Sequence, residues 1–183
     1  MVTMSSEKPS EPTERVASDA SWQAEEHPHE PTAHERIVVG VDGSSSSRQA
    51  LLWAIHQAAR CTSVLRIVSV LVPPDMGLES YEYGPPDREL ETKALERART
   101  WIQEAEEQAR RALPANQISA EVRVGGAAQV LIEESRNADL VVVGSRGLGG
   151  FRGLLLGSVS QQCAAHAACP VVVVRGDHSV PQP

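Results

Sequence analysis

Leu140-Val141-Val142-Val143-Gly144-Ser145-Arg146-Gly147-Leu148-Gly149-Gly150-Phe151-Arg152-Gly153, continuing through Leu154-Leu155-Leu156-Gly157-Ser158, decides how this chain folds. Its first four residues are a short apolar run of the kind that becomes a buried strand. Five glycines in the ten residues from Gly144 to Gly153 then forbid regular structure. Such glycines let a backbone approach a ligand closely and turn its N–H groups inward as an anion nest. Gly157-Ser158 opens a helix predicted over about 158–167, and a helix start adds unpaired donors and partial positive charge. Strand, glycine loop and helix start in that order are the parts of a phosphate site. Ser158 adds a hydroxyl, and Arg146 and Arg152 are placed to complement phosphate charge.

The same strand–helix alternation extends outward in both directions. Downstream, Pro170-Val171-Val172-Val173-Val174 reads as a last strand. Upstream, Ile37-Val38-Val39-Gly40-Val41 reads as a first strand, and Asp42-Gly43-Ser44-Ser45 as a turn carrying helix-capping residues, Asp42 among them. Leu51, Ala54, Ile55, Ala58 and Ala59 recur at helical spacing. Val64 to Val72 is a second strand, stopped by Pro73-Pro74, and a loop containing Gly77, Gly84, Pro85 and Pro86 follows. Leu90, Ala94, Ala98, Trp101, Ile102, Ala105 and Ala109 form the apolar face of a long helix over about 87–113, ended by Pro114. Ile118 to Val124 is strand three, 127–137 a helix, and Leu140 to Val143 strand four.

Strands alternating with helices demand right-handed crossovers, hence an α/β fold with an open, doubly wound, five-stranded parallel sheet and helices on both faces. The expected order is 3-2-1-4-5. It sets strands one and four side by side at the topological switch point, where ligands bind beyond the carboxyl ends of the strands. Only the Asp42-Gly43-Ser44 loop and the Gly144–Ser158 segment border that crevice. An aromatic share of 3% in a chain with 41% hydrophobic residues fits a core of Val, Leu, Ile and Ala between sheet and helices.

Two nucleotide signatures are missing. The sequence has no Gly-Lys pair, so no Walker loop, and Gly40-Val41-Asp42-Gly43 stands where a dinucleotide fold needs Gly-x-Gly-x-x-Gly. Ser-Gly-Gly-x-Asp-Ser and His-x-Gly-His are absent as well. What is present is Gly144-x-x-Gly147, nine residues, then Gly157-Ser158. That spacing resembles the Gly-2x-Gly-9x-Gly-[Ser/Thr] pattern of ATP-binding universal stress proteins (UspA-like domains). Val141 to Gly147 and Cys169 to Val174 resemble the family's last two strands, and Ile37 to Ser44 its first strand and loop. The likeness spans about 35–176, and it implies the adenine nucleotide alpha hydrolase-like variant of the doubly wound sheet.

The resemblance further implies roles. Asp42 would face the ribose, Gly40 and Val41 would lie beside it, and Val41, Val70 and Val143 would wall the adenine. The Val70 backbone would meet the base edge. Gly144, Gly147, Gly157, Ser158 and Val159 would hold the phosphates through backbone N–H groups, with Arg146 nearby. ATP, with or without Mg²⁺, is the implied ligand, in a binding protein associated with stress survival. Cyclic AMP is the alternative ligand, and a slow ATPase or other ATP-using enzyme the alternative activity. No dedicated catalytic residue is expected, because Asp42 is the only acid in either crevice loop and a hydrolase needs a placed base and metal ligands. A departure from the family lies after strand three, where Gly125-Gly126-Ala127 replaces Gly-x-Pro beside the base pocket.

Charge and composition bound the rest. Residues 1–35 hold eight acids against Lys8 and Arg15, which is six of the seven net negative charges. Nothing offers the basic footprint of a nucleic-acid binder. Residues 1–34 lack core-forming side chains apart from Trp22, so they are expected to be a disordered acidic tail. A metal site from His27, His29 and His34 is disfavoured there. Residues 35–176 are the expected domain and 177–183 a polar tail. No run reaches the length of a membrane span, and the start lacks a secretion signal, which points to a cytoplasmic protein. Cys61, Cys163 and Cys169 form no Cys-x-x-Cys pair and read as buried thiols. Pro170 to Arg175, an apolar edge strand, is expected to join two copies into a homodimer.

Overall fold

The computed structural model describes residues 35–73, 88–149 and 155–176. Within them, five strands run β1 (Arg36–Gly40), β2 (Val64–Leu71), β3 (Ile118–Val124), β4 (Leu140–Gly144) and β5 (Val171–Val174). Four helices intervene: α1 (Ser45–Cys61), α2 (Arg88–Arg110), α3 (Ala127–Ser135) and α4 (Ser158–His166). All strand pairs are parallel, in the order β3-β2-β1-β4-β5. This is the doubly wound α/β sheet expected. The N-terminal segment, most of the loop between β2 and α2, Arg152 and the chain's last residues lie outside the described part.

Alternation along the strands sorts the core into two layers. Ile37, Val39, Leu65, Ile67 and Val142 face α1 and α2, where Leu51, Ile55, Ala105, Ala109 and Leu113 meet them. Val38, Val68, Val141 and Val143 face the other way, against Val130, Leu131 and Cys163 of α3 and α4. Small residues at the contact, Ala50, Ala54 and Ala58 on α1, are fully buried, which lets that helix lie close to the sheet. The apolar face of α2 is narrower than its periodicity predicts. Leu90 is 63% exposed, and burial starts at Ala98. The three cysteines also divide. The expectation of buried thiols holds for Cys163, whose thiol is pushed up by burial, but not for Cys169, which is half-buried, nor for Cys61, which ends α1 in solvent with Gln57 Nε2 donating to its sulfur.

One polar cluster ties α3 to the sheet. Arg66 on β2 donates from Nε to Glu134 Oε2 at 2.6 Å and from Nη2 to Glu121 at 2.7 Å. Arg123 donates to Glu134 Oε1 at 2.6 Å. Hydrogen bonding to the Arg66 guanidinium holds the Glu134 carboxyl below its ordinary range against the opposing effect of burial. A depressed carboxyl stabilises the fold above its unfolded value, about 4.3, and that contribution vanishes as pH falls through the lower folded value. Glu134→Gln should therefore cost about 2 kcal/mol at neutral pH, the scale of lost charge-assisted bonds. Urea denaturation should show the wild-type and variant curves converging in acid; a gap unchanged at low pH would contradict the assignment.

Candidate functional site

Beyond the carboxyl ends of β1 and β4 the two crevice loops are stitched together by short polar side chains. Ser44, not Asp42, caps α1: its Oγ accepts from Ser47 N–H at 3.1 Å. Asp42 instead uses Oδ1 to accept from Ser44 N–H at 3.0 Å, closing an Asx turn. Its Oδ2 accepts from Leu148 N–H at 3.2 Å, across to the glycine loop. The hydroxyls of Ser44 and Ser46 both donate to the Arg146 carbonyl. Gly147 fits this arrangement because a Cβ there would stand 2.6 Å from Asp42 Oδ2.

At the start of α4, Gly157 is the N-cap, in extended conformation and without a capping side chain. Its own N–H donates to Ser145 C=O at 2.7 Å, so it is not available to a ligand in this state. This corrects one expected role. The first bond of the helix runs from Gln161 N–H to Gly157 C=O at 3.0 Å. The N–H groups of Ser158, Val159 and Ser160 therefore have no acceptor within the helix, as at any uncapped N-terminus. Ser160 Oγ donates to the Ser145 and Gly157 carbonyls, which fixes the turn rather than capping those donors.

Between these groups lies a cavity of about 480 Å³. Gly40, Val41, Asp42, Val70, Val143, Gly144, Arg146, Gly147, Gly157, Ser158 and Val159 line it, which is every residue picked from sequence except Arg152, which lies outside the described residues. The lining is apolar toward β1 and β2 and backbone-rich toward α4. Val70 matters through its main chain. Val68 C=O accepts from Val41 N–H at 2.9 Å, so Val68 points its backbone groups toward β1. Groups two residues apart in a strand point the same way, so those of Val70 do too. The β1–β2 register ends at Gly40 opposite Val68, leaving the Val70 N–H and C=O without a β1 partner and facing the cavity.

The sequence model of the universal stress protein family matches residues 33–175. The chain belongs to the universal stress protein family. Among relatives, the universal stress protein Rv2624c of Mycobacterium tuberculosis is 35% identical over 146 residues, 80% of this chain and 50% of its own length. The chain thus spans about half the length of the curated relatives it matches. The fold of the universal stress protein UspA from Lactobacillus plantarum superimposes with a TM-score of 0.68 at 21% identity, covering 79% of this chain and 99% of that one. A universal stress protein solved in complex with cAMP is 29% identical, with a TM-score of 0.56 over 79% of this chain and 98% of that one.

Other residues of this universal stress protein reach the same cavity without having been assigned a site role by sequence. Ala127 and Leu131 come from α3, Leu148 from the glycine loop, Val72 from beyond β2, and Trp101 from α2. Ala127 stands where the family's Gly-x-Pro departure was noted, which was the available signal for it. Trp101 gave none, because it continued the apolar spacing of its helix.

Proposed function

We propose that this universal stress protein is a cytoplasmic regulatory protein that binds an adenine nucleotide, ATP, in the cavity. The observation that carries the reading is the cavity's division of labour. Aliphatic walls and the Val70 backbone, which has no β1 partner, suit a base at one end, and the α4 start, without a capping side chain, suits phosphates with its glycine loop at the other. Asp42 lines the same cavity, and a ribose joining base and phosphates would offer its carboxylate two hydroxyls. It is the only carboxylate among the described lining residues, and both its oxygens already accept backbone N–H groups. That favours binding over hydrolysis, which needs a free base. Mg²⁺ would ride on the phosphates, since one carboxylate is a poor cage for it.

Calorimetric titration with ATP, ADP, AMP and cyclic AMP, with and without Mg²⁺, tests the reading; no binding by any of them would end it. Asp42→Ala should weaken ATP by about 1–3 kcal/mol, the scale of bonds to a charged group. Against 2′,3′-dideoxy-ATP the wild type should lose affinity and the variant little more. Equal losses in both would leave Asp42 as a loop tie only. Cyclic AMP is the second reading, favoured by the 29% identical relative solved with it. Its 3′ oxygen is esterified, so its affinity should depend less on Asp42.

A homodimer through β5 belongs to the same proposal. All four valines of β5 are only half-buried, with β4 as the one neighbouring strand. Val141 N–H bonds to Pro170 C=O and Ser145 N–H to Val174 C=O, so Val172 points its backbone at β4 and Val173 points outward. Val173→Pro should therefore weaken self-association roughly tenfold, removing an outward donor from each copy, while the sheet stays intact. Val172→Pro would instead break the β4–β5 ladder. Sedimentation equilibrium on both tests this, and a monomeric wild type at micromolar concentration would refute the dimer.

A further inference from the structure

We propose that Trp101 forms one face of the base slot and stacks on the purine; this rests on the nucleotide reading above. Trp101 is the only aromatic side chain among the described residues that line the large cavity. It is half-buried on α2, and its place is fixed by the loop after β1. Gly43 has φ +78°, and a Cβ there would lie 2.5 Å from Trp101 Cε2 and 3.0 Å from Cδ1. The pyrrole part of the indole therefore rests against a bare Cα, and any side chain at 43 would displace the ring. A second cavity touching the indole, about 50 Å³ and walled by Arg48, Glu104 and Gln108, is too small for a nucleoside. The indole's open neighbour is the large cavity.

The orientation follows from the sheet. The N–H and C=O of Val70, without a β1 partner among the described residues, lie in the plane of the sheet, as all ladder groups do. A base edge paired to them continues that plane, so one ring face looks toward the α1/α2 side and the other toward the α3 side. Val41, of the α1/α2 layer, and Trp101 stand on the first side. Leu131, of the other layer, and Ala127 stand on the second. An indole on one side and the aliphatic Leu131 and Ala127 on the other make a slot suited to a fused planar ring. The indole is thus a specificity element, favouring purines over ligands that offer only sugar and phosphate.

Two measurements test the stacking. In a Trp22→Phe/Trp53→Phe background, where Trp101 is the sole indole, ATP should quench the emission and inorganic tripolyphosphate should not. Trp101→Leu should weaken ATP by about tenfold or more, the scale of base–aromatic stacking, and leave tripolyphosphate unchanged. Trp101→Phe should recover most of the loss. ATP binding with neither quenching nor any loss in Trp101→Leu would overturn the stacking alone. Equal losses for ATP and tripolyphosphate would mean the indole merely props the Gly43 loop, and would overturn it too. A wild type that binds no nucleotide would remove the parent reading, and this one with it.

Discussion

Gly157→Val is expected to abolish nucleotide binding while the domain stays folded. The backbone at 157 is extended, φ −80° and ψ 166°, a conformation open to any residue. A Cβ there would sit 3.4 Å from Arg146 Cα and 3.7 Å from Gly147 N, ordinary contact distances. The fold can therefore accept the side chain, at the modest cost of replacing a good N-cap residue by a poor one, about 1 kcal/mol. The ligand cannot. The same Cβ and its two methyls would fill the space between the glycine loop and the α4 start, where the donors of Ser158 and Val159 have no acceptor within the helix. Losing several charge-assisted bonds at once corresponds to roughly hundredfold or more in affinity. Circular dichroism should remain near wild type while the calorimetric signal for ATP disappears. ATP bound at wild-type affinity would show that phosphates lie elsewhere.

The order of the sheet was legible because β-branched runs and helical spacing alternate with little ambiguity. Ile118–Val124 keeps its predicted bounds as β3. Once the order is fixed, the switch point singles out two loops, and the family resemblance adds Val70 at the end of β2, which lines the same cavity. What sequence left open are relations between positions a hundred residues apart. Asp42 and Ser44 look equally fit to cap α1, but Ser44 takes the cap while Asp42 closes an Asx turn with Ser44 N–H and reaches across the crevice to Leu148 N–H. Trp101 fits the apolar face of α2 by spacing, yet the face is filled chiefly by alanines and the indole reaches past them to Gly43. Gly157 looks like a phosphate donor until its N–H is traced to Ser145. Nor does sequence distinguish a glycine kept for a ligand from one kept for packing.

Gly144 is of the second kind, and its replacement should show it. Gly144→Ala is expected to destabilise the domain by about 3 kcal/mol, at the upper end for an overpacked core. A Cβ at 144 would stand 2.7 Å from the Ser46 carbonyl carbon and 2.7 Å from Ser47 N. Those are backbone atoms in the first turn of α1, so no rotamer change relieves the clash, and the helix start must move away from β4. Moving it breaks the Ser44 and Ser46 bonds to Arg146 C=O, which hold the two crevice loops together. The loss should appear as a fall of roughly 6–12 °C in melting temperature for a domain of this size. ATP affinity should fall with it, because the loops that frame the cavity separate. Gly149→Ala is the matched control: a Cβ there meets nothing within 4 Å, and its melting temperature should stay at wild type. The pattern to look for is therefore stability lost at 144, binding lost without stability at 157, and stability kept at 149. Gly144→Ala melting with the wild type would mean that α1 does not press on β4 as closely as these distances require.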